Sequence, residues 1–351
     1  MSSLSFVQDH SEWKWNISAL KNLLCILLTL LAIPILAQSP TKPLPAGKKT
    51  LAAAPVLSLA YSPDGKTLAV ALYKQVQLWD VATNKLREIW KGHPDTVRSV
   101  VYSKDGKLLV ACGGVSGASG EVRIWDTVTN HEIRKFGDHI DNVLSVAISP
   151  DSTRVVTGGA DKLVKVWETA TGKLIGTIKE HADAIWGVAY RPDGTFFATT
   201  GGDKSIKVWD SKTLKRAYSV TAHDELVNAL MFSPDGAHMV SVSNDKSTRY
   251  WNFRADNSDL ARNNVVNDAP ILCTAYSPNS ALIACGSADK TVLIFNGNDI
   301  NLTRTLKDAE DWVYSVAFSP DSKKLAAGTW DGKVLIYSTA DWKLEKTLSA
   351  Q

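Results

Sequence analysis

The sequence predicts an all-β fold built from one repeated four-stranded antiparallel unit, and two residue registers with the strand pattern between them carry that prediction. A turn tetrapeptide recurs as Ser62-Pro63-Asp64-Gly65, Ser103-Lys104-Asp105-Gly106, Ser149-Pro150-Asp151-Ser152 and Arg191-Pro192-Asp193-Gly194. It returns as Ser233-Pro234-Asp235-Gly236, Ser277-Pro278-Asn279-Ser280 and Ser319-Pro320-Asp321-Ser322. Pro at the second position and Asp or Asn at the third suit a type I turn between antiparallel strands. A second register, Trp79, Trp125, Trp167, Trp209, Trp251, Phe295 and Tyr337, keeps step with it at separations of 46, 42, 42, 42, 44 and 42. In the fourth unit the runs Ile185–Tyr190, Phe196–Thr200, Ile206–Trp209 and Lys215–Val220 are β-branched and aromatic, separated by turn residues, as four short strands require. One such sheet cannot bury both faces alone. Radial stacking of seven copies covers both, so the expected architecture is a seven-bladed β-propeller over residues 51–351.

The first fifty residues differ from the rest. Met1–Asn22 is polar, and Leu23–Leu36 is an uninterrupted apolar run ending near Pro34, with Ala37 before a plausible cut. Fourteen apolar residues are short for a spanning helix, which needs about 20, and they fit the core of a secretory signal. Residues 1–37 are therefore expected to be a signal peptide, with a retained membrane anchor through residues 23–37 as the rival. Residues 38–50, with three Pro and no apolar period, read as an extended linker.

The two registers resemble the WD-repeat (β-transducin-like) family, over residues 51–349. The resemblance is nearest to bacterial exported chains with a Gly-rich second blade, which implies a periplasmic or secreted location. It also implies a hydrogen-bonded tetrad in each regular blade. The matching positions are His139, Thr157, Asp161 and Trp167 in blade three; His181, Thr199, Asp203 and Trp209 in blade four; and His223, Ser241, Asp245 and Trp251 in blade five. Blade two keeps His93 and Trp125 but has Ala111 and no aligned turn Asp. Blade six keeps only Asp289, blade seven only Asp331 and blade one only Trp79. Apolar residues seven and eleven positions after the marker (Leu86 and Trp90, Leu174 and Ile178, Leu302 and Leu306) recur at Leu344 and Leu348. The C-terminus thus supplies its own outer strand, and closure is expected by packing between blades one and seven.

The net charge of +3 comes from scattered Lys and Arg matched by acids, not from a basic stripe, which argues against nucleic-acid binding. Past Cys25, the cysteines Cys112, Cys273 and Cys285 show no metal-type spacing and suit apolar filler roles, although a bridge between Cys273 and Cys285 is conceivable. The histidines and carboxylates fall on repeat positions, one per blade, so they do not form a converging acid/base pair. The Gly-rich stretch Cys112–Glu121 lacks the Gly-Lys-Ser/Thr ending of a phosphate loop and reads as an expanded loop. No catalytic, cofactor or metal residues are expected. The candidate partner-binding residues, placed on one rim, are Arg98, Trp186, Trp312, Tyr314 and Trp330, because Trp, Tyr and Arg dominate interface energetics. The expected function is a non-catalytic protein-interaction scaffold. The alternatives are an enzyme or ligand binder using the central channel, or a membrane-anchored cytosolic adaptor.

Overall fold

The computed structural model describes residues 54–350. The expected signal or anchor (1–37), the linker (38–50) and the first residues of the expected propeller domain lie outside them. Every strand pairing is antiparallel and joins neighbours in the chain. The described residues form one seven-stranded and five four-stranded sheets. Repeat four shows the unit, with strands Ile185–Tyr190, Phe196–Gly201, Ser205–Asp210 and Arg216–Thr221 paired in chain order. Its second and third strands are buried almost throughout, which explains why they read as continuous apolar runs without alternation.

The seven-stranded sheet joins repeats one and two through a single 18-residue strand, Lys85–Tyr102. The connection after Ala71 is very tight there. Leu72 N–H donates to Gln75 O at 3.0 Å and Lys74 takes a positive φ of 61°. Tyr73 consequently pairs with Thr96, and the outer strand of repeat one runs directly into the inner strand of repeat two.

The first strand of each repeat packs on the first strand of the next, and that of repeat seven packs on that of repeat one. At this last seam Val56 N–H donates to Thr329 O at 3.0 Å. Val56, Leu59, Leu68, Val70 and Leu72 share one core with Ala326, Val334, Ile336 and Leu348. The outer strand Leu344–Ser349 pairs with Lys333–Ser338, so the C-terminal residues complete their own sheet.

The turns and the indoles hold each repeat in register. In the first turn Ser62 Oγ donates to Asp64 Oδ1 (2.6 Å), and Lys66 N–H donates to the same oxygen (3.0 Å). Gly65, at φ 72°, closes it. In repeat four, Trp209 Nε1–H donates to Thr199 Oγ1 (2.8 Å), Thr199 lies 2.7 Å from His181 Nε2, and His181 Nδ1 lies 2.9 Å from Asp203. Each donor is used once along this chain, which fits one imidazole tautomer. Repeat three repeats it through Trp167, Thr157, His139 and Asp161 at 3.0, 2.8 and 2.9 Å. Repeat five does so through Trp251, Ser241, His223 and Asp245 at 2.9, 2.7 and 2.9 Å. Burial holds the His223 imidazole down to about 4, against the pull of Asp245. Burial works against Asp245 in turn, but the Ser247 hydroxyl, backbone N–H groups and His223 bring it down to about 2.

Repeat two solves the same problem differently. His93 Nδ1 sits 2.9 Å from Glu121 Oε1, without the alignment of a hydrogen bond. Its Nε2 has no hydrogen-bond partner among the described residues, because Ala111 offers no hydroxyl. Glu121 also accepts from Arg123 Nε at 2.8 Å. Burial opposes its ionisation, yet His93 and Arg123 bring its carboxyl down to about 2. The sequence reading found no acid for this repeat because Glu121 comes from the third strand, not from the turn. In repeat six Asn267 Nδ2 donates to Ser287 Oγ at 2.6 Å, and in repeat one Trp79 Nε1 donates to Gln77 at 3.1 Å.

The near-isosteric change Thr199→Val leaves the Trp209 indole and the His181 ring nitrogen unpaired inside the protein. It is expected to lower stability by about 2–4 kcal/mol, since each stranded buried group costs about 1–3 kcal/mol. Denaturant unfolding monitored by tryptophan fluorescence checks this. A loss below about 0.5 kcal/mol would mean the chain of bonds does not hold the repeat.

Candidate functional site

The site begins with a backbone irregularity. Pairing of first and second strands skips one residue at Arg98, Leu144, Trp186, Asn228, Leu272 and Tyr314. Each follows a β-branched residue with 0% exposure: Val97, Val143, Ile185, Val227, Ile271 and Val313. Leu57, directly after the equally buried Val56, holds the same place in repeat one. A β-bulge leaves its extra residue outside the ladder and re-aims the side chain. Since the first strands pack on one another around the ring, these half-buried side chains form a collar on its inner side.

Three of the five candidate binding residues meet directly. Tyr314 and Trp330 have ring centroids 5.1 Å apart, and Trp312 lies 6.2 Å from Tyr314 and 6.4 Å from Trp330. Trp330 N–H donates to Trp312 O at 2.9 Å, which clamps the two loops together. Arg98, two repeats along the ring, acts electrostatically on the Tyr314 hydroxyl. Trp186 occupies the equivalent bulge in repeat four, apart from this cluster. Of the five residues expected on one rim, three lie in strands and two in loops. Arg98, Trp186 and Tyr314 belong to the inner collar, and only Trp312 and Trp330 come from the loops beside it.

Three polar atoms of this collar lack partners, as do Tyr190, Thr200 and Ser211 elsewhere. Arg98 Nε, Trp186 Nε1 and the Tyr314 hydroxyl are buried and have no hydrogen-bond partner among the described residues. All three carry a hydrogen to donate. Burial pulls the Arg98 pKa down while the Asp95 charge opposes it, and the guanidinium stays cationic. Burial pushes the Tyr314 hydroxyl up to about 12, with Arg98 working in the other direction. Leaving such donors bare inside a protein costs free energy.

The Gly-rich stretch is not an open loop. Strands Leu108–Val115 and Ser119–Asp126 stay paired out to Val115 and Ser119, giving a protruding hairpin with a three-residue tip. Gly114 (φ 146°) makes this possible, since a Cβ there would lie 2.1 Å from Ser119 O. Gly117 N–H at the tip donates to Asp141 of repeat three at 2.7 Å. Cys112, Cys273 and Cys285 are free thiols. Cys285 Sγ contacts Thr248 of repeat five while Cys273 Sγ contacts Val313 of repeat seven, so the two leave opposite faces of their sheet. Among the described residues there is no cluster of three His, Cys, Asp or Glu able to hold a metal, and no helix long and apolar enough to cross a membrane.

One signal in the sequence would have found most of the collar, although Leu57 stands 22 residues before Trp79. Leu144, Trp186, Asn228, Leu272 and Tyr314 each stand 23 residues before the aromatic marker of their repeat (167, 209, 251, 295 and 337). Arg98 stands 27 before Trp125, the difference being the four residues that lengthen the hairpin.

The repeated sheets and their indole-centred bonding define a protein of the WD-repeat propeller class, and the WD domain, G-beta repeat model matches residues 48–80 and 84–126. More specifically, the model described as the IFT122 first beta-propeller matches residues 142–351, more than half of the chain, and the chain belongs to that family. Among curated proteins the chain is similar to the intraflagellar transport protein 122 homologs of Danio rerio (43% identical over 56 residues), Xenopus tropicalis (39%) and Mus musculus (38%). These alignments cover 16% of this chain and 5% of the length of each relative.

Arg98→Met keeps the apolar stem and removes the unsatisfied head group. It is expected to raise stability at neutral pH by about 1 kcal/mol, the lower end of what an unpaired buried polar group costs. Chemical denaturation of the two proteins checks it, and a clear loss of stability would show that the guanidinium is already satisfied.

Proposed function

We propose that the chain is a seven-bladed, non-catalytic platform that binds a partner protein at the collar and the aromatic cluster beside it. The observation that carries this reading is the packed cluster of Trp312, Tyr314 and Trp330, on whose tyrosine hydroxyl Arg98 acts electrostatically. Buried polar atoms without partners also occur at Tyr190, Thr200 and Ser211, so bare donors do not by themselves mark the site. Arg, Trp and Tyr in half-buried positions are instead what interface hot spots are made of. The count of seven follows from dividing the seven-stranded sheet at its shared strand, Lys85–Tyr102, into two four-stranded blades beside the other five. The family supports a scaffold role. The relatives are named for intraflagellar transport, and an alignment to 5% of their length carries over the propeller and not that pathway. The reading includes no cofactor, no metal and no nucleic acid.

The apolar run Leu23–Leu36 supports export, with the propeller periplasmic or secreted, or held at a membrane by residues 23–37. N-terminal sequencing of the mature protein distinguishes these. A chain beginning at Gln38 is the expected result, and one retaining residues 23–37 establishes the anchor.

Affinity pull-down with wild type, Trp312→Ala and Trp330→Ala tests the platform. Both variants are expected to fold and to lose the same partner bands. Unchanged partners would remove repeat seven from the site.

A further inference from the structure

We infer that the protein's own proline-rich segment, residues 40–45, covers the aromatic cluster of repeat seven, so that a partner protein must displace it to bind there. This rests on the platform reading above and adds what holds the site before a partner arrives.

Repeat seven differs from its neighbours where it carries its two indoles. The backbone bond from Trp330 N–H to Trp312 O recurs from Ala160 to Asn142, Gly202 to Ala184, Asn244 to Leu226 and Ala288 to Pro270, at 2.9–3.0 Å. Small, polar and aliphatic residues make this junction equally well, so the fold does not require two indoles there. Trp312, Tyr314 and Trp330 are half-buried, and each keeps part of its surface open. The Tyr314 hydroxyl is enclosed, which leaves apolar ring surface as what the cluster offers.

The described chain begins beside this surface. Ala54 packs against the core shared by repeats one and seven, and Val56 N–H donates to Thr329 O, the residue before Trp330. Pro55 stands directly before the buried Val56, as Trp312 stands directly before the buried Val313. Residues 40–45 lie outside the described residues, and the segment joining them to Ala54 leaves from the rim that carries the cluster. Pro45 is nine positions from Ala54. A stretch of that length reaches about 30 Å, far more than the single strand spacing between Val56 and Thr329. Gly47 takes left-handed conformations at no steric cost and lets the chain double back toward the rings.

The chemistry of the segment matches the surface. Pro40-Thr41-Lys42-Pro43 places proline at a spacing of three, the period of polyproline II, which sets both pyrrolidine rings on one edge. Such an edge docks on aromatic surfaces and gives up little conformational freedom in doing so. Charge agrees. The loops beside the indoles carry Asp308, Glu310, Asp311 and Asp331 against Lys307 and Lys333, while residues 38–53 carry Lys42, Lys48 and Lys49 and no acid. The tether holds the segment at an effective concentration of millimolar order, which favours it over the same segment of a second copy.

The test places the photoreactive amino acid p-benzoylphenylalanine at Leu44 of the full chain, illuminates it without any partner, and maps the cross-links by peptide mass spectrometry. Cross-links are expected to residues 307–314 and 328–332 of the same molecule, in a yield that does not change on dilution. Combined Pro40→Ser, Pro43→Ser and Pro45→Ser should lower that yield severalfold, and so should Trp330→Ala. The proline variant leaves the propeller untouched and serves where Trp330→Ala fails to fold. Cross-links to the Ser-Pro-Asp turns or the outer strands, products between molecules that grow with concentration, no cross-link, or an unchanged yield in the proline variant would each overturn the inference. Pull-down separates its failure from that of the platform. With no cross-link to the cluster but partner bands still lost in Trp312→Ala and Trp330→Ala, the covering segment falls and the platform stands. With the cross-link formed and the partner kept by both variants, the covering segment stands and the platform falls.

Discussion

The wedge between neighbouring repeats is the contact on which the rest of this protein depends. A β-branched residue at the start of each inner strand drives against the second strand of the repeat before it, with no solvent left around it. Where that second strand carries Gly, the fit is too close for any side chain. A Cβ on Gly158 would lie 2.4 Å from Ile185 Cγ2, one on Gly286 2.7 Å from Val313 Cγ1, and one on Gly328 2.4 Å from Val56 Cγ1. The last of these is the seam where the first repeat meets the seventh. Among the described residues the closing contact is therefore made with the same parts as the internal ones.

Around that frame the repeats satisfy their buried polar groups unequally. Repeats three to five run an indole, a hydroxyl, an imidazole and a carboxylate in series. Repeat two substitutes an ionic cluster in which Glu121 serves His93, Arg123 and Lys135 at 2.9, 2.8 and 3.2 Å. Repeat two pairs its charges, and repeats three to five hydrogen-bond their carboxylate to an imidazole, so neither leaves a buried ion bare. Unpartnered buried polar atoms occur both on the inner collar, at Arg98, Trp186 and Tyr314, and away from it, at Thr169, Tyr190, Thr200 and Ser211.

The parts of this architecture written in side-chain identity at fixed spacing were legible in the sequence. The Ser-Pro-Asp turns, the marker aromatics, the three full tetrads and the closing strand at Leu344 and Leu348 all depend on particular residue types. The parts set by backbone geometry were not. A bulge accepts any side chain, so Leu144, Asn228 and Leu272 carry no signature of residue type, only of spacing, and only the aromatic and cationic members of their ring drew notice. Glu121 escaped because four added residues moved the acid from a turn to a strand. The Gly-rich stretch gave the same trouble. Its glycines suggested an open loop, whereas they serve to let two strands approach closely enough to pair.

The bulge also separates two demands that most binding sites must reconcile. Because the residue before it fills the seam, the bulged residue itself is released from packing. Leu, Arg, Leu, Trp, Asn, Leu and Tyr all occupy it in a single chain without altering the ring. Such a position behaves as a socket with interchangeable inserts. A lineage could exchange one insert and acquire a new ligand while every seam stayed as it was, which makes recognition in this fold separately heritable from stability.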